Sequence, residues 1–387
     1  MERKDSQISK SNQYKRLSEE KVMHANHEKF QLKKVINASG RMTILGVSTL
    51  SETVLDAQRF GGQNFFEMEE LSIQTGKYLA DLLEVEDVQI VSSASAGIAQ
   101  SVAAVIGKGE LYPLYHPYAE SIKKRQIILP KGHNVDYGTA VEIMVQQGGG
   151  QVVEAGYANM CTPEQIEMMI TEETAGILYI KSHHTVQKSM LDVSEAAQIA
   201  KKHQLPLIVD AAAEEDLKKY VQLGADLVIY SGAKAIEGPS AGMVIGKKTY
   251  VSWVRMQSKG IGRSMKIGKE NILGFVQAVE DYLNKGSESG LTMKERLQPF
   301  IEQLNQIDHL EAKIVQDSAG REIYRASVKV SGDQSAKQVI KALKEKNPAI
   351  YTREYQANNG IIEFDIRSVN QQEMEKIIDR LKEILKN

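Results

Sequence analysis

Residues Leu205–Lys234 read LPLIVDAAAEEDLKKYVQLGADLVIYSGAK. Two short apolar runs, Leu205–Asp210 and Leu227–Ser231, flank a polar stretch that is amphipathic over Glu215–Leu223. The runs are continuous in Leu, Ile and Val, which is how a strand covered on both faces looks. The first ends on Asp210 and the second on Ser231-Gly232-Ala233-Lys234. In open α/β sheets ligands bind beyond the carboxyl ends of the strands. An acid and a lysine placed there are candidates for chemistry.

The same alternation continues on both sides. Further strands are expected at Val88–Val91 (VQIV), Gln126–Leu129 (QIIL), Gln151–Glu154 (QVVE), Gly176–Lys181 (GILYIK) and Gly242–Gly246 (GMVIG). Thr162–Ile170 reads as a helix with Thr162 as N-cap and Pro163 at its first position. Asp192–Gln204 places Val193, Ala196 and Ala197 on one helical face. Strand–helix repetition predicts an α/β domain over residues 35–283, a mostly parallel sheet covered by helices. After the turn-rich Lys285–Gly290 (KGSESG), residues 284–387 predict a small α+β domain with an antiparallel sheet. Its expected elements are helix Met293–Ile307, strand Tyr324–Val330, helix Ser335–Glu345, strands Ala349–Tyr355 and Ile361–Ile366, and helix Asn370–Leu385. Asn358-Asn359-Gly360 is the expected tight turn between the last two strands. The polar residues 1–34 read equally as a surface helix, an arm packed on a partner subunit, or a disordered tail.

Composition narrows the function class. The chain has 387 residues, 42% hydrophobic and 25% charged, which suits two or three globular domains. No run of about 18 apolar residues is present to span a membrane. The opening MERKDSQISK lacks the apolar core of a secretory signal, so a cytoplasmic location is expected. The single cysteine, Cys161, excludes an intrachain disulfide and a cysteine-based metal site. A net charge of −2 demands no nucleic-acid partner.

Four loops at strand ends carry reactive residue types. Ser92-Ser93-Ala94-Ser95-Ala96-Gly97 follows VQIV and opens an apolar helix; it is either a serine N-cap or a phosphate-binding turn. Asp210 is either a helix N-cap or the partner of a cationic ring nitrogen or a metal. Lys234, set among small and apolar neighbours, is either a solvated loop lysine or a desolvated Schiff-base lysine. Lys181-Ser182-His183-His184 offers at most one histidine to a site, because neighbours on a strand point opposite ways; His183 is the expected polar contact to a ligand. His133, after QIIL, is either a buried or surface histidine or a ring stacked on a flat cofactor. No HExxH pattern accompanies the histidines, so no metal is expected. Gly242–Lys248 (GMVIGKK) has the wrong spacing for a phosphate-binding P-loop, and no GxGxxG follows the first strand. The order of anion loop, acid and lysine suits pyridoxal phosphate. That cofactor needs a phosphate site, an acid for its pyridine nitrogen and a lysine for its aldehyde.

The sequence resembles the fold-type I pyridoxal phosphate enzymes of the selenocysteine synthase (seryl-tRNA selenium transferase) superfamily. The matching stretches are Val35–Gly40 (VINASG), Val152–Gly156 (VVEAG), Leu207–Asp210 (LIVD), Ser231–Ile245 (SGAKAIEGPSAGMVI), Met256–Lys269 (MQSKGIGRSMKIGK) and Ile362–Arg367 (IEFDIR). The resemblance implies that Lys234 is the Schiff-base lysine and Asp210 the pyridinium partner. Ser93, Ser95, Ala96, Gly97 and Ser231 would then hold the phosphate. It further implies Arg367 on a substrate carboxylate, and a homo-oligomer, a dimer or larger, with its active site between subunits. The basic run Arg263, Lys266 and Lys269 is either a substrate-phosphate site or a solvated face. Two departures stand out: the family's SGDK is SGAK, and Glu237 replaces a glycine. With only 34 residues before VINASG, a long tRNA-binding domain is not expected, and a small phosphorylated amino sugar acid suits the chain better. The expected reaction is elimination from a 2-amino-3-hydroxy sugar acid, releasing ammonia and a 2-keto-3-deoxy acid. The alternatives are a selenium or sulfur transferase using the same chemistry, and a non-catalytic pyridoxal phosphate- or tRNA-binding protein.

Overall fold

The structure is a computed structural model that describes residues 25–182, 184–317 and 321–386. Most of the arm expected over residues 1–34, and His183, therefore lie outside the described residues. The chain forms two compact units. One is Arg41–Ser287; the other joins the described residues before Arg41 to those from Glu288 onward.

The first described strand, β1 (Val35–Ala38), belongs to the small unit. The large unit carries β2 (Asp87–Val91), β3 (Gln126–Pro130), β4 (Gln151–Ala155), β5 (Thr174–Ile180), β6 (Leu207–Asp210), β7 (Leu227–Ser231) and β8 (Gly242–Gly246). These form one sheet in the order β2-β8-β7-β6-β5-β3-β4. Only β8 runs antiparallel, to both β7 and β2. The pleat sends alternate residues to opposite faces. Leu207, Val209, Val228 and Tyr230 join a core with the helices Met68–Leu83, Val193–Lys202 and Lys269–Lys285. Ile208, Leu227 and Ile229 join a second core with the helices Ala94–Gly107, Val141–Gln147 and Lys248–Met256. This two-sided cover explains why the strands are continuous apolar runs. The amphipathic stretch Glu215–Leu223 is helical only over Lys219–Gln222, because the Asp216 carboxylate takes the Lys218 and Lys219 N–H groups in a turn.

The small unit adds β9 (Leu310–Gln316), β10 (Tyr324–Val330), β11 (Ala349–Thr352) and β12 (Ile361–Phe364). An antiparallel sheet has the order β12-β10-β9, as expected in kind, but β11 pairs in parallel with β1 instead of joining it. That pairing draws VINASG into the small unit, so the division falls at Gly40/Arg41 and Ser287/Glu288 instead of at residues 34/35 and 283/284. Strand β9 is not among the expected elements, although Leu310, Ala312 and Ile314 alternate with Glu311 and Lys313 and pack on the small unit's core; only Ala312 of this short stretch is fully buried.

Candidate active site

The pleat brings the candidate residues to one face. Asp210 follows Ile208 by two residues on β6, and Ser231 follows Ile229 by two on β7, so both share the face covered by Ala94–Gly107. Ser93 caps that helix, its Oγ accepting the Ala96 N–H at 3.0 Å, while the Gly97 N–H goes to Ser93 O. The amides of Ala94 and Ser95, at the first two helical positions, have no partner within the helix. An anion at this helix start would therefore meet Ala94 and Ser95 amides; those of Ala96 and Gly97 are already engaged. Gly242, the β8 partner of Ser231, permits the convergence. A Cβ there would lie 3.0 Å from Ala94 N and 2.8 Å from Tyr230 O. Ser231 and the Ser93 turn thus lie on either side of one glycine.

Lys234 lies three residues beyond β7, in a loop closed by Gly232 N–H to Ala241 O and Gly238 N–H to Gly232 O. Asp210 is 5% exposed, and its Oδ1 accepts the Ala212 N–H at 3.0 Å. Burial pushes this carboxyl above the usual range, and the Lys234 charge, followed by the Ala212 hydrogen bond, pulls in the opposite direction. A cation beside such a buried acid favours its carboxylate form. Tyr137 was not foreseen: its ring is in the same surroundings, and burial with the nearby Asp210 charge raises its hydroxyl pKa strongly. Nothing in its sequence setting marks it.

Other candidates fall elsewhere. His133 is 0% exposed. Its Nε2 faces Val186 O at 3.1 Å, its Nδ1 faces the Ile180 N–H at 3.4 Å, and its ring meets Tyr179 edge-on. Burial lowers its pKa to about 4, so it is neutral. The ring offers no exposed face to stack on a ligand, and its position ties the end of β5 to the loop at Val186. Lys269 donates to Gly61 O and Gly62 O at 2.5 and 2.9 Å, at the C-terminal end of helix Glu52–Gln63, where a cation is favourable. Lys269 is thus engaged at a helix end, neither on a solvated face nor free toward a ligand in this structure. Arg263 and Lys266 are exposed. Their loop packs Gly262 near Gln100, about 10 Å along the helix from Ser93.

Arg367 lies in the small unit, forked onto Asp365 at 2.9 and 2.8 Å. Asp365 also accepts Arg325 Nε at 3.0 Å, and Arg325 reaches Asp317 at 2.8 Å. Burial raises the Asp365 carboxyl; the Arg367 hydrogen bond and the charges of Arg367 and Arg325 override this and hold it at about 2. Gly40 packs on the same carboxylate at φ +89°, where a Cβ would meet Asp365 Oδ2 at 2.8 Å. VINASG and IEFDIR therefore meet at Asp365. The carboxylate-binding edge expected of Arg367 is occupied from within the protein.

No helix among the described residues is long and apolar enough to cross a membrane. No group of three His, Cys, Asp or Glu among them converges to hold a metal ion.

The chain is similar to known proteins in sequence and in fold. The L-seryl-tRNA selenium transferase family matches residues 35–344. D-glucosaminate-6-phosphate ammonia lyase of Salmonella typhimurium is 44% identical, covering 92% of this chain and 97% of the lyase. A 5'-C-glycyluridine monooxygenase-decarboxylase of Streptomyces is 34% identical, over 91% of this chain and 90% of that enzyme. A solved structure of D-glucosaminate-6-phosphate ammonia-lyase superposes with a TM-score of 0.88 at 43% identity, covering 94% of this chain and 99% of that one. An aspartate aminotransferase from Thermotoga maritima, 16% identical at a TM-score of 0.52, shares the fold, that of fold-type I pyridoxal phosphate enzymes. By sequence and by architecture, the chain belongs to the L-seryl-tRNA selenium transferase family.

Proposed function

We propose that the protein is a pyridoxal phosphate-dependent ammonia-lyase converting D-glucosaminate 6-phosphate to 2-keto-3-deoxy-6-phosphogluconate and ammonia. The observation that carries this reading is the 44% identity to a lyase of that name over nearly its whole length. The site suits the cofactor: the buried Asp210 carboxylate lacks a cation of its own beyond the influence of Lys234, and a helix start with two unengaged amides lies on the same sheet face. When bound, pyridoxal phosphate supplies an aldehyde for an amine and a ring that accepts electrons.

The residues then have distinct tasks. Asp210 keeps a proton on the ring nitrogen, which keeps the ring electron-poor. Ala94 and Ser95 N–H groups, with the Ser93, Ser95 and Ser231 hydroxyls, hold the phosphate. Lys234 would bind the aldehyde of the cofactor, and its Nζ, once freed by the substrate amine, would remove the Cα proton. The C3 hydroxyl leaves with a proton as water. A water then releases ammonia and leaves the keto group, so the net loss is ammonia.

The assembly is proposed to be a homo-oligomer. Leu55, Phe60, Phe65, Met68 and Ile73 lie exposed along residues 55–73, with Phe65 fully so, a dense apolar stretch for a surface. In an oligomer, Arg263 and Lys266 are available to the substrate phosphate at a neighbouring copy's site.

The test is direct. Purified protein given D-glucosaminate 6-phosphate should release ammonia and keto acid in equal amounts, with no oxygen consumed. The Lys234→Ala variant should do neither and should lose the visible absorbance of the bound cofactor. Oxygen uptake would instead align the protein with the monooxygenase-decarboxylase relative. Absence of both products from wild type would reject the lyase assignment.

A further inference from the structure

Arg41 follows VINASG directly and opens the large unit. Its side chain is 14% exposed, and Nη2 donates to Glu237 Oε1 at 2.5 Å. Its Nε is buried and has no hydrogen-bond partner among the described residues. Nε and Nη2 form one edge of a guanidinium, the edge that binds a carboxylate with two parallel hydrogen bonds. Arg367 has that edge filled on both positions by Asp365. On Arg41 only one of the two positions is filled.

Glu237 lies three residues after Lys234, with φ +55°. Its N–H bonds Lys234 O at 3.3 Å, which ties it to the lysine loop. A second tie lies beside it: Ser48 Oγ donates to Ala233 O at 3.0 Å. The segment from Arg41 to Ser48 is therefore fastened on both sides of Lys234. Glu237 itself is half-exposed, so water can solvate its carboxylate once it lets go.

We infer that Arg41 binds the carboxylate of the substrate, and that Glu237 occupies part of this site until substrate displaces it. The inference rests on the proposed lyase reading and extends it. In a 2-amino sugar acid the carboxylate is one bond from the carbon whose amine reacts at Lys234, whereas the phosphate is four carbons further along. A guanidinium fastened to the lysine loop suits the nearer group. A two-point contact from Arg41 replaces the one-point contact to Glu237, and the displaced glutamate returns to water.

Two analogues without the reactive amine separate carboxylate from phosphate: 6-phosphogluconate, and glucitol 6-phosphate, which bears CH2OH in place of the carboxylate. Calorimetric titration of the cofactor-loaded protein should show wild type preferring 6-phosphogluconate. Arg41→Met should weaken that ligand by about 10- to 100-fold, leave glucitol 6-phosphate little changed, and raise KM more than it lowers kcat. Its cofactor absorbance should match wild type. Glu237→Gln should bind 6-phosphogluconate more tightly than wild type, because the competing anion is gone. A mere structural latch would behave otherwise: both variants would weaken both ligands together, and that result overturns the inference. So does a wild type with no preference, or an Arg41→Met protein that loses its cofactor absorbance. The lyase reading is judged separately by ammonia release from wild type, so either idea can fail alone.

Discussion

Two buried aspartates end strands in this protein and behave in opposite ways. Asp210 closes β6 in the large unit; Asp365 follows β12 in the small one. Both are nearly inaccessible to water. Burial raises Asp210, and only the Lys234 charge and one backbone hydrogen bond oppose it. Burial acts on Asp365 too, yet two arginines hold it at about 2. Burial alone therefore does not decide charge; the cation beside the carboxylate does. A carboxylate saturated by arginines is part of the framework. One left short of a cation is suited to receive a cationic ligand, at some expense of stability in its absence.

The widest separation of the two comes from neutralising each. Asp210→Asn retains the shape and the contact to Ala212 but removes the charge. Turnover should fall on the order of 10³-fold, while the cofactor-free protein becomes more resistant to urea, since a desolvated charge has been removed. Asp365→Asn should do the reverse. It leaves Arg325 and Arg367 buried without their shared anion and should cost about 3–5 kcal/mol in urea unfolding of the small unit. If Asp365→Asn unfolds no more easily than wild type, the contrast fails.

Acid titration sharpens the comparison at smaller scale. The folded pKa of Asp365, about 2, lies below the unfolded value of about 3.9. Its contribution is therefore complete above about pH 4 and is lost as pH falls toward 2, a change of ~2 kcal/mol. His133, lowered to about 4 by burial, acts earlier: stability declines as pH falls from about 6.5 toward 4, because the unfolded chain binds the proton first. His133→Gln should remove that earlier slope from the melting temperature against pH and leave the later one. The smallest effect is expected at the helix start. Ser93→Ala removes the cap to Ala96 and should cost ~1 kcal/mol, with weaker retention of the cofactor on dialysis.

The sheet was legible because β5, β6 and β7 are buried at every position except Ser231. Solvent exclusion on both faces writes itself into composition as unbroken apolar runs. Asp210, Ser231 and Lys234 were legible for the same reason, as polar residues ending such runs. Chain order alone made Lys269, Arg367 and His133 look available, since it does not disclose what lies across from a side chain. Lys269 is taken by the carbonyls of Gly61 and Gly62, Arg367 by Asp365, and His133 by neighbours from the end of β5 and the loop after it.

The amino-acid sequence by itself determined the α/β architecture, through local periodicity, and the family, through the resemblance of its motifs; residue type at strand ends singled out Asp210 and Lys234 as candidates. Only the tertiary structure decided which cations are already neutralised, that VINASG belongs with the C-terminal unit, and that Arg41 meets Glu237. Those outcomes depend on contacts between residues far apart in the chain. Such contacts follow from how sheets and helices close on one another, and no short stretch of sequence carries them.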